Sequence, residues 1–80
     1  MDRNTLLTHL DRVNLHIAQT RSDVDRQREI VARLRGLGFA QDTLRAEQLL
    51  AIFEEVQTEH IVARERVLAD LGRVMQATSD

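Results

Sequence analysis

Apolar residues in the first half of the chain recur at alternating steps of four and three: Leu6, Leu10, Val13 and Ile17, then Thr20, Val24, Gln27, Val31 and Leu34. That spacing returns to one stripe of an α-helix turn after turn, and its persistence over several heptads predicts a coiled-coil-like heptad seam, not a single globular face. A matching seam in the second half runs through Ala46, Leu49, Phe53, Val56, His60, Ala63 and Val67, then drifts toward Leu71 and Val74. The cluster of helix breakers between the two, from Leu34 to Thr43 with glycines at 36 and 38, splits the chain nearly in half. Gly36 suits the left-handed position beyond a helix C-terminus, Arg33 and Arg35 complement the carbonyl end of the dipole, and Asp42 suits the N-cap of the next helix. The pattern predicts an all-α chain: helix over about 4–35, turn over 36–41 and helix over about 42–76, within a single helical-hairpin domain spanning 1–80.

Folding back at the glycines makes the two seams antiparallel neighbours, as short helix connections normally require. In that register Val31 faces Ala46, Val24 faces Phe53, Ile17 faces His60 and Leu10 faces Val67. Two helices of roughly 30 residues have no third element to cover them, so one flank of each seam stays wet. The sequence carries an apolar surplus beyond the seam, including Leu7, Leu15, Ile30, Leu50, Ile52 and Val62, with Ile61, Leu68 and Met75 in line at seven-residue intervals. Such a widened stripe belongs to a helix in a bundle of three or more. A homodimer forming a four-helix bundle is therefore expected, with Leu7, Ile61, Leu68, Leu71 and Met75 carrying protein interaction. The alternative is a monomeric hairpin that binds a helical segment of another protein with the same face.

Charge sharpens this reading and excludes others. The first 35 residues carry seven Arg against five acids, and the remainder carries four Arg against eight acids, so the two helices bear opposite net charge. Exposed pairs between them favour antiparallel packing by only about 0.2 to 1 kcal/mol each. The net charge of -2 opposes strong general affinity for nucleic acid or anionic lipid. All eleven basic residues are Arg, a bias ascribed to GC-rich codon usage before any binding role. Without cysteine there is no disulfide framework, thiolate metal site or thiol nucleophile. No apolar run approaches the roughly 18 residues of a membrane span, and Met1 to Thr5 lacks the layout of a signal peptide. A cytoplasmic protein without membrane contact is expected.

Three sets of residues could carry chemistry. His60 falls on the seam and His16 borders its partner Ile17, so these imidazoles, with Glu59 beside them, could hold Zn or iron. The Glu-x-x-His spacing of di-iron bundles is missing, because Gln57 precedes His60 by three. A polar seam residue that sets alignment is the commoner meaning, so neither a metal nor any other cofactor is expected; Thr20 and Gln27 are read the same way. Arg28, Arg33 and Arg35 concentrate positive charge near the turn, and Phe39 at the tip could stack on a base, the minimum for loop RNA contact. Interleaved Asp23, Asp25 and Glu29 make a solvated helix face the stronger reading. No arrangement of nucleophile, base and orienting acid recurs, so no enzyme is expected. A non-enzymatic interaction or regulatory module is the leading expectation.

The run His16-Ile17, Arg26 to Val31, Arg33-Leu34, Gly38, Asp42-Thr43, Ala46, Leu49-Leu50, Phe53-Glu54, Gln57, His60 and Arg64 to Leu68 resembles a group of short alphaproteobacterial two-helix proteins of rhizobial type. The resemblance spans about residues 13–71. It implies a bacterial source and places His16, Gln27, Arg28, Phe53 and His60 within a shared pattern, but it brings no function. In architecture alone the chain is also similar to the dimeric helical-hairpin RNA-binding bundle of plasmid copy control.

Overall fold

Two helices account for nearly all of the chain in the computed structural model, which describes residues 1–78: α1 (Arg3–Gly36) and α2 (Ala40–Thr78). Residues 79 and 80, part of the expected 1–80 domain, lie outside the described residues. Only residues 37–39 separate the helices, so they return side by side as an antiparallel hairpin measuring 63 × 14 × 14 Å. At 1.5 Å per residue, the 39 residues of α2 supply nearly the whole long axis.

Local chemistry sets the ends of α1. Asp2, in extended backbone conformation, caps it by accepting from the Thr5 amide at 2.8 Å. That hydrogen bond holds the Asp2 carboxyl below its ordinary value of 3.8. At the other end Phe39 N donates to Leu34 O at 3.2 Å and Gly38 N to Arg35 O at 3.1 Å. These paired bonds form a Schellman closure, which needs a left-handed residue, and Gly38 supplies it with φ 78°.

The turn therefore differs from the expectation in two respects. Gly36 is the last residue of α1 and Gly38 is the left-handed one. Two glycines two residues apart both suit the role, and the later one permits an almost immediate start to α2. Asp42 is not the N-cap: it lies in the first turn of α2, where its carboxylate still complements the positive end of the dipole. Thr43 takes the anchoring part, donating both its amide (2.9 Å) and its hydroxyl (2.7 Å) to Phe39 O.

Burial along α1 follows the expected stripe, with Leu6, Ile17, Thr20, Val24, Gln27 and Val31 all buried and Leu10, Val13 and Leu34 half-buried. The inward face of α2 keeps the expected seam except at Leu49, which is 42% exposed: Ala46 and Leu71 are buried, and Phe53, Val56, His60, Ala63, Val67 and Val74 are half-buried. Leu50, Gln57 and Arg64 join them as half-buried, which widens the inward face to one side. Overlapping stripes pass through Leu49 and Leu50, and only packing against α1 selects between them.

The two polar residues buried in α1 behave differently. Thr20 donates its hydroxyl to its own helix, at His16 O (2.9 Å) and Ile17 O (3.2 Å), which satisfies it without reference to α2. Gln27 instead crosses the interface and donates Nε2 to Ala46 O at 2.9 Å. Of the two, Gln27 alone aligns the helices as expected. Thr20 is tolerated inside because helical threonine can back-bond within its own turn.

Candidate functional site

Each flank of the hairpin changes character along its length. On one flank, Arg28 pairs with Glu54 at 3.2 Å and Arg35 pairs with Glu47, closing the half near the turn with ion pairs. Seven-residue steps from Glu47 and Glu54 continue along the same line of α2 to Ile61, Leu68 and Met75. The corresponding line of α1 runs from Arg35 and Arg28 through Arg21 and Asn14 to Leu7. This flank is thus ionic toward the turn and apolar toward the open end.

Four of the five expected interaction residues reach that apolar surface to different degrees. Leu68 is 48% and Met75 54% exposed, Leu7 is also exposed, and Ile61 is half-buried. Leu71, toward which the expected seam of α2 drifts, is part of the hairpin's own interior at 7% exposure.

A second apolar patch lies on the opposite flank in the half near the turn. Ile30 and Phe53 are half-buried and line one shallow groove with the exposed Leu49, and exposed Ile52 follows one helical turn after Leu49. The sequence stripe had assigned Leu49 and Phe53 to the interior, so this patch was not foreseen as surface. The signal that could have revealed it is the adjacent pair Leu49-Leu50, since only one member can point at α1.

Between the patches lies the histidine pair. The rings of His16 and His60 face each other from different helices, with centroids 5.2 Å apart and planes inclined by 33°. His60 Nδ1 is buried and makes no hydrogen bond. Glu59 is exposed, and no group of three or more His, Cys, Asp or Glu residues suited to a metal is gathered among the described residues. The structure brings His16 and His60 together without assembling Glu59 into a three-ligand centre.

The turn residues offer less than their sequence suggests. Arg28 and Arg35 already hold Glu54 and Glu47, and Asp25 lies 4.0 Å from Arg28. An RNA phosphate would have to compete with these carboxylates. Phe39 is exposed at the tip beside the exposed Leu37, and Arg33 is exposed on the last turn of α1. No helix among the described residues is long and apolar enough to cross a membrane. In comparison with known proteins, no family model, no curated protein and no solved structure matches the chain.

Proposed function

We propose that the chain is a non-enzymatic interaction module that acts as a homodimer, two hairpins packing through coiled-coil-like seams into a four-helix bundle. The observation that carries this reading is the amount of surface left open. The hairpin exposes 6074 Å². A compact monomer of 9.2 kDa exposes about 4,900 Å² by the usual scaling of area with mass. The excess is about 1,100 Å², above the roughly 800 Å² that each partner contributes to a standard interface.

The composition of the open surface supports a protein partner. Leu7, Leu68 and Met75 face outward while the less apolar Gln57 and Arg64 occupy the half-buried inner flank. A hairpin optimised to stand alone would turn its leucines inward and its arginine out, because apolar burial contributes about 25 cal/mol per Å². A second copy is the simplest occupant, since an isologous dimer matches each apolar stripe with its own equivalent. Leu7, Ile61, Leu68 and Met75 carry the contact, with Leu71 beneath them.

Sedimentation equilibrium with interference optics tests the proposal, since a chain without Trp or Tyr absorbs almost nothing at 280 nm. The expected mass is twice 9.2 kDa and independent of concentration through the micromolar range. Leu68→Glu should return the monomer, because a carboxylate at that position cannot be desolvated without a partner. A folded monomer in the parent chain would overturn the dimer and leave the surface for a helix of another protein. An unchanged dimer in Leu68→Glu would reject this interface.

A further inference from the structure

We propose that His16 and His60 form an open site for an imidazole-preferring divalent ion of the Cu2+ and Zn2+ class. One ring comes from each helix, so the site exists only when the hairpin is closed. The buried His60 Nδ1 has no hydrogen-bond partner, and a buried nitrogen of this kind calls for a ligand or an ordered water.

The spacing of the rings agrees with shared coordination. A metal-nitrogen bond of about 2.0 to 2.1 Å puts the ion about 3.2 Å from each ring centre, and a tetrahedral angle then separates the two centres by about 5.2 Å. The observed separation is 5.2 Å. Coordination requires each ring to turn about its χ angles until one nitrogen of each points at the ion, at the ring separation already present.

The surroundings select the class of ion. Val13, Ala63 and Val67 line the same groove with His9 and the cationic Arg12, which limits affinity for any cation, and no carboxylate is among the lining residues. Mg2+ and Ca2+ require oxygen ligands, which this groove does not offer, whereas imidazole suits Cu2+ and Zn2+. No third protein donor joins the pair among the described residues, so the other coordination positions belong to water. The site binds weakly and exchanges readily, with Cu2+ ahead of Zn2+ in the usual order of affinities. It does not depend on dimerisation, because both ligands belong to one hairpin.

The test uses the full chain, titrated with Cu2+, Zn2+ or Mg2+ and followed by calorimetry and by thermal unfolding at 222 nm. One Cu2+ per hairpin should bind and raise the melting temperature, Zn2+ should do so less, Mg2+ should do nothing, and EDTA should reverse the effect. His16→Gln should weaken Cu2+ binding at least tenfold, while His9→Gln should leave it unchanged. The electron paramagnetic resonance spectrum of the Cu2+ complex should show nitrogen coupling that His16→Gln diminishes. Absence of Cu2+ binding to the parent chain, or binding that survives His16→Gln undiminished, would overturn the proposal. Because His16 is only half-buried, its substitution preserves the fold, which helicity before titration verifies.

Discussion

Gln27 offers the most searching test of how the two helices are joined. Its side chain is 6% exposed and donates Nε2 to the Ala46 carbonyl across the interface at 2.9 Å. Truncation to Ala removes this bond, worth about 0.5 to 1.5 kcal/mol net, together with one buried methylene worth about 0.8 kcal/mol. The Ala46 carbonyl keeps its own helical partner, so no orphan acceptor remains on α2. Gln27→Ala should therefore cost about 1 to 2.5 kcal/mol. Gln27→Met keeps the straight apolar stem and exchanges a buried amide for a thioether, so it should stay within about 1 kcal/mol of the parent.

Gln27→Glu separates this account from simple packing, because it is nearly isosteric and replaces the donor with an acceptor. At pH 7 the introduced carboxylate meets the Ala46 carbonyl oxygen with no proton between them, which should cost more than about 3 kcal/mol. Burial raises the pKa of the introduced group in the folded state, so the deficit is full above that pKa and shrinks as pH falls and the acid takes up a proton. Urea denaturation followed at 222 nm, at one fixed protomer concentration, measures all three variants. Gln27→Glu as stable as the parent at pH 7 would refute the cross-helix hydrogen bond.

The glycines should respond with opposite signs. Gly38→Ala should destabilise by about 1 to 2 kcal/mol because its φ of 78° is left-handed, whereas Gly36→Ala, helical and with nothing within 4 Å of an added Cβ, should stabilise by up to about 1 kcal/mol. Equal effects in urea titrations would contradict the assignment of the turn. Asp2→Ala should lower the melting temperature at neutral pH by removing the cap on Thr5. The Asp2 carboxyl is lowered by that bond, so its contribution is present above the ordinary value of 3.8 and lost as pH falls through the folded value. Melting curves of parent and variant should therefore converge in acid, and a constant offset at every pH would show that the capping charge contributes nothing.

The helical hairpin itself was legible in the chain. Apolar spacing from Leu6 to Leu34, absence of proline and a glycine-bearing break at mid-chain leave little but two long helices, because a helix is specified by contacts within a few residues. The face of α1 was legible for the same reason: the heptad spacing persists along its whole length, and its buried residues are those the spacing selected. The approach of His16 to His60 also followed from spacing once the turn was placed, since a short connection leaves few registers open.

Packing decided what local sequence left ambiguous. Gly36 and Gly38 are equally able to adopt a left-handed conformation, and the choice of Gly38 depends on Phe39 reaching back to Leu34 while α2 begins. Leu49 and Leu50 are equally apolar, and the turning of Leu50 inward and Leu49 outward depends on how α2 lies against α1. The same packing places the ion pairs of Arg28 and Arg35 on one flank. A heptad stripe defines a band about two residues wide on a helix, and its centre line is set by the partner surface. The sequence by itself therefore determined two helices and their order, while the tertiary structure decided which leucines are core and which stay exposed.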